Sequence, residues 1–183
     1  MILLSTMSAT RSNTNRWLVA VYAGIISGVA ALAMVLLVNV PVLWVLAGLL
    51  IGVGPVLGYD LARGQAGANR KPLIAGILGM IFFVLGLVPL VIPEAALAVP
   101  ILVAVAGLLS VILWPIVVGA MSPEHSIGRL FLGSILGLII GLAVVLWVVA
   151  PMMGQNPGWI STGVVIFWVL WGAACGAFMG GSQ

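Results

Sequence analysis

The sequence predicts an all-α polytopic membrane protein, with six transmembrane helices arranged as three helical hairpins and both termini in the cytoplasm. Three observations lead there. Hydrophobic residues make up 64% of the 183 residues and charged residues only 5%, against about 25% charged in an ordinary soluble domain. The apolar runs are about 20 residues long, the length a helix needs to cross hydrocarbon. Threaded as six spans, the chain places every basic residue, Arg11, Arg16, Arg63, Arg70, Lys71 and Arg129, on one face.

Too few charges remain to coat a soluble domain, and a backbone in lipid must bond to itself, which leaves helices or closed barrels. Barrel strands would read as runs of about ten alternating residues. These runs are longer and apolar throughout. The predicted spans are about 17–38, 41–61, 72–92, 97–119, 129–151 and 159–180. They form one transmembrane domain over 17–180, between a tail at 1–16 and a C-terminal tail at 181–183.

The first tail has only three consecutive strongly apolar residues, Ile2 to Leu4, and its charges follow that run instead of preceding it. That order is the reverse of a signal peptide, so a short disordered cytoplasmic tail is expected. Val38-Asn-Val-Pro41 separates spans one and two as a tight turn, because proline disfavours continuing the helix that precedes it. Val91-Ile-Pro-Glu94 separates spans three and four, and Pro151 to Gly158 the last two.

Between spans two and three lies Gly58 to Pro72, which holds Asp60, Arg63, Arg70 and Lys71. By the positive-inside rule this patch and both termini face the cytoplasm, and a prokaryotic plasma membrane is the expected location. Asp60 and Arg63 stand one helical turn apart and are expected to form an interfacial ion pair. Trp17 and Tyr59 fall at the inner interface, and Trp44, Trp147 and Trp159 at the outer one. Trp114, Trp168 and Trp171 lie deeper, where an indole N–H needs a protein partner.

Small residues spaced by four let helix backbones approach closely, which matters where lipid gives no hydrophobic drive for association. Gly24/Gly28, Gly48/Gly52, Gly133/Gly137/Gly141 and Gly172/Gly176/Gly180 have that spacing and are the expected packing faces, within the chain or onto another subunit. Pro55 and Pro115 sit inside spans two and four and are expected to kink them. The segments Gly24–Pro41, Gly76–Pro93 and Gly133–Pro151 can be aligned as a threefold repeat, with Ala47-Gly-Leu-Leu50 matching Ala106-Gly-Leu-Leu109.

Gly58-Tyr-Asp60 through Arg70-Lys71 resembles, in outline, the Gly-x-x-x-Asp-Arg-x-Gly-Arg-Lys signature of major facilitator transporters. Gly58 and Asp60 stand closer together than in that pattern, and extra residues precede Arg70. The chain is also half the length usual for that family, so membership does not follow.

Chemistry is sparse. His125 is the single histidine and Cys175 the single cysteine, and with three acids these donors are spread over both predicted membrane faces, so no zinc site of three or four ligands is expected and no internal disulfide is possible. Six scattered cations do not make a nucleic-acid groove. No catalytic residues, cofactor or metal are expected. The reading is a non-enzymatic accessory or scaffold subunit of a larger membrane complex, with the lipid bilayer and other membrane subunits or further copies of itself as partners. The alternative is a small transporter or channel component for a neutral or weakly polar solute, using Ser27, Ser110, Ser161 and Thr162 as polar handles beside Pro55 and Pro115.

Overall fold

The computed structural model describes residues 15–36, 41–64, 70–81, 83, 85, 99–122, 124–153, 156 and 158–180. The tail at 1–14, the turn at 37–40, the loop at 65–69, the Val91–Glu94 break, the side chain of Trp44 and the tail at 181–183 lie outside the described residues. Among the described residues the chain is all-helical, with six helices and no strand. These are α1 (Arg16–Leu36), α2 (Pro41–Ala62), α3 (Arg70–Gly79), α4 (Val99–Met121), α5 (Ile127–Val144) and α6 (Trp159–Met179). A π-helical turn at Val145–Val149 and four further helical residues, Ala150–Met153, continue α5.

Local signals account for several ends. Asn15 accepts the Trp17 N–H on its side chain at 3.0 Å, which satisfies one of the orphan donors that open any helix. Gly64, at φ +67°, ends α2 in the left-handed region where glycine carries no steric penalty, and its N–H bonds the Leu61 carbonyl at 3.0 Å. The Asn156 side chain accepts the Gly158 N–H at 2.8 Å and its carbonyl accepts Trp159 N–H, turning the chain into α6.

Three stretches are long and apolar enough to cross a bilayer: Arg16–Leu36, Ile127–Met152 and Ser161–Met179, with mean hydropathies of 2.3, 2.7 and 1.8. Two shorter apolar stretches are Leu46–Ala62 and Val105–Met121. The outward residues are as greasy as the core: Trp147 is 83% exposed and Leu146 and Val29 are each 61% exposed. Such a surface is stable only against lipid or protein, so the chain is a membrane protein.

Each helix packs on its sequence neighbour, α6 closes the set against α1, and α6 also touches α2. Glycines set the approach distances. A Cβ built on Gly24 would stand 3.1 Å from Ala173 Cβ, and one on Gly176 2.6 Å from Ala23 Cβ, so α1 and α6 are nearly in backbone contact. Gly133, Gly137 and Gly141 meet Phe178, Trp171 and Phe167 of α6. Gly172 meets Ser27, Gly180 meets Arg16, Gly28 meets Val169, and Gly52 meets Gly76 of α3 and Met80 just after it. These faces are therefore occupied within the chain, Gly48 being buried as well.

Of the third predicted span, 72–92, residues 82, 84 and 86–92 lie outside the described residues, and α3 ends at Gly79. At Met80 the N–H bonds Ile77 three residues back, and Phe83 N–H donates to Ser110 Oγ at 2.6 Å. Next to Met80, Gly79 rides on Trp114 of α4, whose Cα would stand 2.7 Å from an added Cβ. Residues 81, 83 and 85 are again helical.

Candidate functional site

Two polar arrangements stand out in a molecule this apolar, one inside the bundle and one at its end. The first begins with the prolines. Proline at position i removes the N–H that would bond the carbonyl at i−4, so Pro55 orphans Ile51 and Pro115 orphans Val111. Ser27 Oγ of α1 donates to the Ile51 carbonyl at 3.3 Å, and Ser134 Oγ of α5 donates to the Val111 carbonyl at 2.7 Å. Both serines are fully buried. The helix runs unbroken through Pro55, including Gly52-Val-Gly54.

The deep indoles are also satisfied. Trp114 Nε1 donates to the Gly52 carbonyl at 2.8 Å, and Trp171 Nε1 to Ser134 Oγ at 3.1 Å. Trp114 and Trp168 each meet Trp171 edge to face, and Phe83 and Phe167 extend the cluster around Trp168. Edge-to-face pairs of this kind add about 0.5–1.5 kcal/mol beyond area burial. Of the proposed polar handles, Ser27 and Ser110 are therefore engaged in internal bonds, while Ser161 and Thr162 are half-buried on α6.

The second arrangement joins the end of α2 to the segment between α4 and α5. Arg63 Nη1 donates to Tyr59 Oη at 3.1 Å and to Glu124 Oε2 at 3.2 Å. Its guanidinium also lies over the Tyr59 ring, 5.3 Å from the centroid. The sequence points to an Asp60–Arg63 pair; the salt bridge that Arg63 makes is with Glu124, and Asp60, 7% exposed, has its Oδ2 without a hydrogen-bond partner. The His125 ring stands edge-on to Tyr59 at 4.6 Å, with Nε2 3.9 Å from Glu124 Oε1. The backbone of the segment turns through His125 N–H to the Ser122 carbonyl at 2.9 Å.

His125 is buried, and that burial holds its pKa below the ordinary histidine value; Glu124 pulls the other way, while Arg129 and Arg63 add to the lowering. Beside it, Ser122 is 2% exposed and its Oγ has no hydrogen-bond partner. Arg129 Nη2 donates to the Gly180 carbonyl at 3.0 Å, carrying the polar belt on to the end of α6. Among the described residues no three of His, Cys, Asp and Glu gather as metal ligands would. Cys175 is fully buried in the core.

The joining of His125 to Tyr59 was not readable in the sequence, since 66 residues separate them. The serine caps left a usable signal: every helix-interior proline implies an orphan carbonyl four residues earlier, and a serine at a glycine-rich face is a natural donor. No family model, curated protein or solved structure matches the chain.

Proposed function

We propose that this protein is a non-enzymatic accessory or scaffold subunit of a larger membrane assembly, threaded as six spans in three hairpins with both termini in the cytoplasm of a prokaryotic cell. The observation that carries this reading is where the buried hydroxyls go. Ser27 and Ser134 bond carbonyls left over by the helix-interior prolines and Ser110 accepts the Phe83 N–H, so these hydroxyls tie helices to one another. A bundle whose buried serine hydroxyls are spent on its own backbone in this way gains rigidity from them.

The threading draws support from the belt at one end of the bundle. Gly180 lies against Arg16 and accepts a hydrogen bond from Arg129, which brings the start of α1, the start of α5 and the end of α6 together. Arg63 and Glu124 join the ends of α2 and α4. Basic residues collected at one end are what the positive-inside rule requires of an even number of spans.

Extraction in a mild detergent followed by native mass measurement tests the role. The expected result is a stoichiometric set of other polypeptides carried with the chain. A lone chain or a pure homo-oligomer overturns it. The competing reading, a small transporter, has one observation in its favour: the buried Asp60 oxygen without a hydrogen-bond partner, since ionisable groups at membrane depth commonly mark ion pathways. Solute uptake into vesicles holding the purified chain alone would favour that reading.

A further inference from the structure

We propose that a groove on the lipid-facing side of α6, between α1 and α5, binds one anionic phospholipid, with an acyl chain along α6 and the phosphate held at the groove's end by Arg16 and Arg129. The proposal does not depend on the scaffold reading. The three stretches long and apolar enough to cross a bilayer are the three that build the groove.

At about 100° per residue, Val169 and Ala173 of α6, which meet the α1 glycines, stand nearly opposite Phe167, Trp171, Ala174 and Phe178, which meet the α5 glycines. α6 therefore runs between the two helices. Of its remaining faces, Trp168, Gly172, Cys175 and Met179 are buried. Ile166, Leu170 and Ala177 point the other way, yet they are only half-buried, and no residue of α6 from 161 to 180 is exposed. On the flanking helices Val21, Ile25 and Val29 of α1 and Leu132 and Ile139 of α5 are exposed. α6 is thus the recessed floor between two apolar ridges, a shape that an acyl chain fills by van der Waals packing.

Charge selects the lipid. α1 carries one charged residue, Arg16, α5 carries one, Arg129, and α6 none, so the groove has two cations and no carboxylate. Both cations come to the end of its floor. Gly180 packs on Arg16, whose Cα would stand 2.7 Å from an added Cβ, and its carbonyl accepts Arg129 Nη2 at 3.0 Å. The Arg16 guanidinium lies over the ring of Trp17, 5.2 Å from the centroid, and Trp17 is exposed, an indole suited to the level where headgroup meets hydrocarbon. A guanidinium offers five N–H donors in a planar fork, so it can serve a phosphate oxygen as well as a carbonyl or a ring. A zwitterionic headgroup brings its own cation to the phosphate, whereas that of phosphatidylglycerol does not and gains most from the two arginines.

The test uses the full chain, taken into mild detergent from vesicles of equal parts phosphatidylglycerol and phosphatidylcholine with identical acyl chains, and weighed with its retained lipid by native mass measurement. One phosphatidylglycerol per chain is expected, in several-fold excess over phosphatidylcholine, and added inorganic phosphate should not displace it. Arg16→Gln together with Arg129→Gln should remove the excess, while Arg63→Gln, a cation on α2 outside the groove, should leave it. Ala177→Phe, which fills the floor with both arginines in place, should lower retention several-fold. The buried Cys175 must stay unreactive towards a thiol reagent in each variant. Should the double variant expose it, since Arg129 also holds Gly180, Arg16→Gln and Ala177→Phe carry the test. Equal retention of the two lipids, an excess that survives either the arginine substitutions or Ala177→Phe, an equal loss with Arg63→Gln, displacement by inorganic phosphate, or another polypeptide in place of the lipid overturns the proposal.

Discussion

The hydroxyl of Ser134 donates to the Val111 carbonyl at 2.7 Å, filling on α4 the backbone position that Pro115 leaves empty. Ser27 does the same for Ile51 below Pro55, at 3.3 Å. Neither carbonyl can find water at this depth, so the serines answer a cost the prolines create. Each proline thereby ties its helix to a neighbour, α2 to α1 and α4 to α5, instead of merely weakening it.

Removing a serine hydroxyl should then cost more than the average interhelical hydrogen bond of about 0.6 kcal/mol, because a buried acceptor is left alone at about 1–3 kcal/mol. Ser134→Ala should exceed Ser27→Ala, since Ser134 Oγ also accepts Trp171 Nε1 and its bond to the carbonyl is shorter. Unfolding in mixed micelles gives the ranking. In the Pro115→Ala background, where a backbone N–H returns to Val111, Ser134→Ala should lose part of its effect. Full additivity would mean that the hydroxyl is not replacing the missing donor.

The glycines separate into those pressed on backbone and those in open space. At Gly58 a Cβ would stand 2.5 Å from Ala23 N and 2.8 Å from Ala23 Cα, and a neighbouring main chain cannot step aside as a side-chain tip can. Gly58→Ala should destabilise by about 1–3 kcal/mol, the cost of an overpacked core. At Gly107 the nearest atom would be Phe83 Cδ2 at 3.8 Å. Gly107→Ala should be neutral or stabilise by up to about 1 kcal/mol through helix propensity. Thermal unfolding of the two variants side by side checks the contrast.

Most of the fold was written in the hydrophobic runs. Five of the helices lie where apolar stretches bounded by Pro, Gly or charge put them, because a long apolar run is read without knowledge of neighbours, and three of these are long and apolar enough to cross a membrane. The turn at Met80 was not legible, nor was the bond from Phe83 N–H to Ser110 on another helix. The site divides in the same way. Arg63 was readable as a charged helix end, but Glu124 as its partner depends on how α2 and α4 end together. Ser27 and Ser110, read as handles for a solute, proved to be bonded to backbone.

The Arg63–Glu124 bridge should matter little for stability and visibly for salt dependence. Both side chains are about one-third exposed, so the coupling in a double-mutant cycle of Arg63→Ala and Glu124→Ala should be about 0–1 kcal/mol and shrink in 1 M salt, where the screening length is about 3 Å. Arg63→Lys should not restore wild-type behaviour, because one Nη1 serves both Tyr59 and Glu124 and the planar guanidinium covers the Tyr59 ring. A coupling that persists unchanged in high salt would show the pair to be shielded from solvent.

Stability should fall on the acid side of neutrality, and His125 fixes where. Its pKa in the folded protein lies below the unfolded value because it is buried, with Arg129 and Arg63 adding to that against Glu124. The unfolded chain therefore binds the proton first as pH drops. The folded state is fully favoured above the unfolded value of about 6.5, and the advantage drains away as pH falls from there to the lower folded value. His125→Gln, which carries no proton to exchange, should flatten that part of the stability curve while leaving the region above pH 7 parallel to wild type. An acid limb of equal steepness in the variant would remove His125 from the account.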